Sequence, residues 1–128
     1  MASLIYLDTH VVAWLYAYGA NGVSERATLA LERSDDIRLS PMVRLELQYL
    51  YEIGRTSQGP AEVIDALSPP LGLRICTASF GAVVQRAEDQ GWTRDPFDRL
   101  IVAQASLFNA TLVTKDDTLH QHYSAALW

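Results

Sequence analysis

Cysteine is nearly absent from this sequence of 128 residues. The single Cys76 sits in the apolar run Leu73-Arg74-Ile75-Cys76, where it reads as a buried structural thiol in a reducing compartment rather than as a nucleophile or half of a disulfide. Positive charge is also scarce. Ten Lys and Arg stand against fifteen Asp and Glu, for a net charge of −5, which is not the footprint of a protein that holds nucleic acid by bulk electrostatics. Any contact with nucleic acid must therefore be local. No apolar run approaches the roughly 20 residues of a membrane span. The stretch from Met1 to Asp8 has no basic segment and meets an acid too early for a secretory signal, so a soluble, cytoplasmic protein without membrane contact is expected. The phosphate-cradling GxxxxGK loop, the GxGxxG turn and the Gly-x-Ser-x-Gly nucleophile elbow are all missing.

What remains is apolar and patterned. At 49% hydrophobic residues the chain can bury a substantial core, and its length fits one domain over residues 1–128. Leu4-Ile5-Tyr6-Leu7 predicts a strand ending at Asp8, followed by a helix through Val11, Val12, Trp14 and Leu15 to Gly19. A second helix is predicted from Ser24 to about Arg33, before a small strand at Ile37-Arg38-Leu39. Ser40 then caps and Pro41 opens a helix that runs to about Ile53. One short helix is expected between Gly59-Pro60 and Pro69-Pro70, a strand at Leu73 to Cys76, and a helix from Ser79 to about Gln90. Another starts at Asp95-Pro96. Thr111-Leu112-Val113-Thr114 is the last clear strand, with a marginal edge strand near Leu127. Strands alternating with helices imply right-handed crossovers and an α/β fold whose mainly parallel sheet is covered on both faces.

The carboxylates carry the chemistry. Asp8 stands where a strand gives way to a helix; that suits an ordinary N-cap, but ligands of open parallel sheets bind beyond the carboxyl ends of the strands. Asp116 follows another strand and either joins Asp8 or caps a short helix over 117–123. Glu46 shares a helix face with Val43, Leu47 and Leu50, and an acid within an apolar stripe needs a cation, a basic partner such as Arg99, or the mouth of a cleft. Asp95 reads as the N-cap before Pro96, with an outer role in the site as an option, whereas Asp98 heads the face of Ile101, Val102 and Ala105 and points toward the sheet edge. Four converging carboxylates, Asp8, Glu46, Asp98 and Asp116, would raise one another's pKa values, and a divalent cation resolves the repulsion. An all-oxygen donor set suits Mg²⁺ or Mn²⁺ rather than zinc. Removing these four leaves eleven acids against ten bases, so the charge excess is largely the site itself. The histidines offer no rival centre: His10 reads as isolated, and His120-Gln121-His122 lacks further ligands.

Four segments together resemble one family. They are Leu4 to Val11, the helix start from Ser40-Pro41 to Glu46-Leu47, Arg94-Asp95-Pro96-Phe97-Asp98-Arg99 to Ala105, and Thr111-Leu112-Val113-Thr114-Lys115-Asp116. In this order, and with a terminal Leu127-Trp128, they resemble PIN domains, in particular the VapC-type toxins of bacterial toxin–antitoxin pairs. The resemblance implies a three-layer α/β/α sandwich, Mg²⁺-dependent hydrolysis of RNA phosphodiesters, a homodimer, and a small cognate antitoxin as partner. By position, Asp8, Glu46 and Asp98 fall on the family's three principal acids, Asp116 on its fourth, and Thr9 and Thr114 on its hydroxyl positions. The tail after Asp116 is short, so an abbreviated last helix and edge strand are expected. Lys115 or Arg99 could orient a phosphate, with a solvated surface charge as the plainer role for Lys115. Trp14, Tyr18, Tyr49 and Tyr51 could line a partner groove, or pack in the core or a dimer interface.

Two other classes stay open at this stage. One is a PIN-like module that binds RNA or protein without catalysis. The other is a phosphoacceptor receiver domain, which wants several acids near its first strand, where this sequence has only Asp8. Asp-x-Asp hydrolases fail on the same segment, because position 10 is histidine.

Overall fold

Five short strands, all parallel, order as β3-β2-β1-β4-β5 in a computed structural model that describes residues 3–128. β1 (Leu4–Leu7) pairs with β2 (Asp36–Leu39) on one side and β4 (Thr111–Val113) on the other, and β3 (Arg74–Ile75) and β5 (Ala126–Leu127) form the edges. The chain first builds outward from β1 to β2 and β3, then returns to the other side of β1 for β4 and β5. The direction therefore reverses between β1 and β4, and a crevice opens beyond their carboxyl ends.

Between β1 and β2 run α1 (Thr9–Tyr18), a 3-10 turn over Gly19–Gly22, and α2 (Glu25–Arg33). α3 (Pro41–Glu52) and α4 (Pro60–Leu71) connect β2 to β3, α5 (Phe80–Ala87) and α6 (Pro96–Leu107) connect β3 to β4, and α7 (Asp117–His122) leads to β5. Right-handed crossovers in opposite directions place α1 to α4 on one face and α5 to α7 on the other, the α/β/α layering expected. The core joins Ile5, Leu7, Val11, Val12, Ile37, Leu39, Val43, Leu47, Ile101, Val102, Leu112 and Leu119. α5 and α6 share a smaller cluster of Val83, Ala87 and Ala103.

Helix starts follow the caps read from the sequence. The Ser40 hydroxyl accepts the Met42 N–H ahead of Pro41, and an Asp95 carboxylate oxygen accepts the Phe97 and Asp98 N–H groups ahead of Pro96. Four details differ from expectation. α4 is not short, because it runs through Pro69 and Pro70 to a left-handed Gly72. Both prolines fall in its last turn, and Asp65 and Ala66, whose carbonyls lose their donors there, are exposed and can be hydrated. α5 ends at Ala87, short of Gln90, and β3 keeps only two of four expected residues, although the Cys76 N–H still donates to the Leu39 carbonyl. The 3-10 turn exists because Gly22 backs onto α1, where a Cβ would stand 2.5 Å from the Trp14 carbonyl oxygen. Cys76 is buried as expected, its sulfur accepting the Tyr6 hydroxyl at 3.0 Å. Among the described residues no helix is long and apolar enough to cross a membrane.

Candidate active site

Asp8, the residue after β1, starts the site. Its Oδ1 accepts the Thr9 N–H at 2.8 Å as the N-cap of α1, and its Oδ2 accepts the Thr114 hydroxyl at 2.7 Å from the end of β4. Asp8 is 7% exposed. Burial raises its pKa against the lowering effects of these two hydrogen bonds. Thr114 is itself fully buried, and its Oγ1 also accepts the Asp116 N–H at 3.1 Å. One hydroxyl thus joins the two strand-end acids. Asp116 caps α7 through the Leu119 N–H at 3.0 Å, so the capping and site readings are both realised by one residue.

α3 brings Glu46 in from one side. Val43, Leu47 and Leu50 are buried and Glu46 is half-buried, as the stripe required. α6 brings Asp98 from the other, and the two helices meet where Tyr49 lies 6.1 Å from Phe97. Burial raises the Glu46 pKa, the facing Thr9 lowers it, and the charge of Asp8 raises it again. For Asp98, burial combined with the charges of Asp95, Asp8, Asp116 and Glu46 pushes the carboxyl up from its ordinary 3.8 to about 7. Every acid assigned to the pool therefore acts on Asp98.

These residues line one cleft of about 410 Å³, bounded by Asp8, His10, Trp14, Glu46, Asp95, Asp98, Lys115 and Asp116. Asp95 joins its rim while capping α6. Two expectations need correction. Arg99 does not line the cleft: its Nε donates to the Thr93 carbonyl at 2.8 Å, and it forms no ion pair with Glu46 among the described residues. His10 is not isolated, since it lines the cleft and lowers the pKa of both Asp8 and Glu46. Its place two residues after Asp8, in the first turn of α1, was the available clue. Thr9, next to Asp8, lies fully buried, and its Oγ1 has no hydrogen-bond partner.

Carboxylate and hydroxyl oxygens, acids raised by burial and then by one another's charge, and an unpartnered buried hydroxyl make a donor set that fits a hard divalent cation. Among the described residues, no three His, Cys, Asp or Glu side chains already stand in a coordinating arrangement, so the acids ring the cleft rather than converge on one point.

Comparison with known proteins bears on the fold. No curated protein sequence matches the chain. Among solved structures, a toxin–antitoxin complex from Klebsiella pneumoniae includes a chain 18% identical, with a TM-score of 0.67 over 98% of this chain and 97% of that one. VapBC2 from Rickettsia felis, bound to a DNA fragment from its promoter, gives 22% identity and a TM-score of 0.62 over 92% of each chain. VapBC-1 from nontypeable Haemophilus influenzae gives 17% and 0.64 over 98% and 96%. Identities this low speak for the fold alone. The PIN domain profile matches residues 5–124, from β1 through α7, and the chain belongs to the PIN domain family.

Proposed function

We propose that this protein is a Mg²⁺-dependent endoribonuclease, the toxin of a toxin–antitoxin pair, built as a single PIN domain over residues 1–128. The observation that carries the reading is the cleft at the sheet's switch point, which gathers Asp8, Glu46, Asp95, Asp98 and Asp116 on one lining, with the Asp98 carboxyl pushed up to about 7 by burial and by the other four acids. Asp8, Glu46, Asp98 and Asp116 would hold Mg²⁺, or Mn²⁺, with Thr9 and Thr114 as supporting hydroxyls. When bound, the ion supplies a lowered pKa for its water and a counter-charge for the scissile phosphate.

The chain's own residues do the rest. Thr114 fixes the Asp8 carboxylate through Oδ2 while the Thr9 amide fixes Oδ1, so both oxygens are oriented before substrate arrives. A carboxylate of this cleft would take the proton from the attacking water. Asp95 is engaged as a cap and adds charge from the rim. Single-stranded or looped RNA suits an open cleft whose rim carries Trp14 and His10, because unstacked bases can lie on aromatic rings. The solved relatives are described as toxin–antitoxin complexes, which supports a small antitoxin as partner. The exposed Tyr49 and Tyr51 of α3 suit a homodimer interface. A protein of this kind acts in the cytoplasm.

Incubating the purified protein with structured RNA, with Mg²⁺ or EDTA, beside its Asp8→Asn variant, tests the reading. Cleavage by the wild type alone, and only with the metal, is expected. Cleavage that survives both the substitution and chelation would sink it, and cellular activity untouched by Asp8→Asn would favour a PIN-like module that binds RNA or protein.

A further inference from the structure

Lys115 lies between Thr114 and Asp116 and lines the same cleft as five acids, so an ion pair with one of them is the arrangement electrostatics would favour. No such pair forms: among the described residues no carboxylate lies within 4.0 Å of its ammonium. Instead Nζ stands 5.9 Å from the ring centroid of Trp14 and 6.0 Å from that of Trp128. The two indoles meet edge to face at 5.8 Å, and Trp128 packs against the core. The sheet register sets this up. Val113 pairs with Leu127 and the Thr114 N–H donates to the Leu127 carbonyl, which brings residue 128 beside residue 115, while α1 delivers Trp14 from the other side.

A lysine held on ring faces keeps its charge and its N–H donors available, whereas one paired with Asp98 or Asp116 would already be neutralised. We propose that Lys115, fixed between Trp14 and Trp128 at the mouth of the acidic cleft, holds a phosphate of the bound RNA strand next to the bond that is cut. This rests on the ribonuclease reading. It explains how a chain of net charge −5 brings a polyanion to a ring of carboxylates: one positioned cation contributes locally what the overall charge does not. The indoles restrict the side chain so that the phosphate is met in one place.

The test is steady-state cleavage of a single-stranded RNA with Mg²⁺ over a range of salt concentrations, for the wild type, Lys115→Met, Lys115→Arg and Trp128→Phe. For Lys115→Met the KM should rise about tenfold, kcat should change less than about threefold, and the salt dependence of kcat/KM should flatten by about 0.7 on a log–log plot, the value of one single-strand phosphate contact. Lys115→Arg should stay within about threefold of the wild type, because a guanidinium also stacks on indole and binds phosphate. Trp128→Phe, which keeps a ring against the core, should raise KM by about threefold and add nothing to Lys115→Met in the double variant. An unchanged KM and salt slope in Lys115→Met overturns the proposal, as does a loss confined to kcat, which would make Lys115 a counter-charge for the acids. Failure of the wild type itself to cleave RNA overturns the ribonuclease reading and this proposal together, and is seen without any variant.

Discussion

Acids at the two ends of the sheet have opposite fates. At the amino end of β2, Asp36 accepts Arg38 Nε at 3.0 Å and an Arg38 terminal nitrogen at 2.8 Å, and takes Arg74 at 2.9 Å. The Arg38 guanidinium in turn lies 5.6 Å from the Phe108 ring centroid. Hydrogen bonding by these arginines holds the Asp36 pKa below its ordinary value. At the carboxyl ends of β1 and β4, Asp8, Glu46 and Asp98 lie among other acids with no arginine, and all three are raised. An acid that serves only structure is matched with a cation from its own chain. Acids left unmatched in a cleft are an arrangement that folding alone does not favour, and on the proposed function a divalent cation would match them.

The largest effect that would sharpen this contrast is on catalysis. Replacing Asp98 with Asn keeps the shape of the side chain and removes its charge. RNA cleavage should fall by about 100- to 1000-fold, the usual cost of deleting one electrostatic element of an active site. Initial rates at saturating Mg²⁺ would measure it, and a loss below tenfold would remove Asp98 from the centre of the site. Next comes Thr114→Val, which deletes the donor to Asp8 and the acceptor for the Asp116 N–H without changing volume much. Outer hydroxyls of this kind tune metal sites, so Mg²⁺ affinity should weaken about tenfold, read by calorimetric titration. Unaltered affinity would mean that Thr114 serves folding alone.

The strand ends and helix caps were legible because they depend on neighbours in sequence. Asp8, Asp116, Ser40 and Asp95 could each be placed from the few residues beside them, and Glu46 from the apolar positions one turn away. What escaped depended on distant contacts. Arg99 lies one residue past Asp98, yet the turn of α6 and the Thr93 carbonyl take its side chain away from the cleft. Lys115 reads as surface charge until the β4–β5 register brings Trp128 next to it. His10 reads as isolated in sequence, although the acids it faces across the cleft arrive from α3 and from the end of β4. The extent of α4 hid behind Pro69-Pro70, which mark a helix end when read locally but are tolerated where the preceding carbonyls stay hydrated.

The contrast between the two acid sets also fixes the direction of a pH dependence. Asp98 has a folded pKa of about 7 against 3.8 in its ordinary state, so the native protein binds the extra proton between those values. Its contribution to stability is complete below about 4 and is lost as pH rises toward and through 7, and the raised Asp8 and Glu46 act in the same direction. Asp36, being lowered, behaves oppositely: its contribution is present above 3.8 and disappears only as pH falls further. In EDTA, the melting temperature should therefore decline from pH 5 to pH 8. Mg²⁺ should restore more of it at pH 8 than at pH 5, because protons compete with the ion for the same oxygens. Scanning calorimetry at the two pH values decides the matter, and a melting temperature that rises across this range in EDTA would contradict the unmatched state of the cleft.

The smallest effect belongs to the matched acid. Asp36→Asn removes the charge that holds Arg38 and Arg74 together, in a site whose side chains keep 21% to 65% exposure, so water replaces much of what is lost. A loss of about 1 kcal/mol in unfolding free energy is expected by urea denaturation, the upper end for exposed pairs. Cleavage rate and Mg²⁺ affinity should stay within about twofold, since the substitution lies at the opposite end of the strands from the cleft and distant sites act independently. If Asp36→Asn instead lowered cleavage as strongly as Asp98→Asn, the two acid sets would be coupled through the sheet. The distinction between a structural and a chemical carboxylate, drawn from whether each has its own cation, would then fail for this fold.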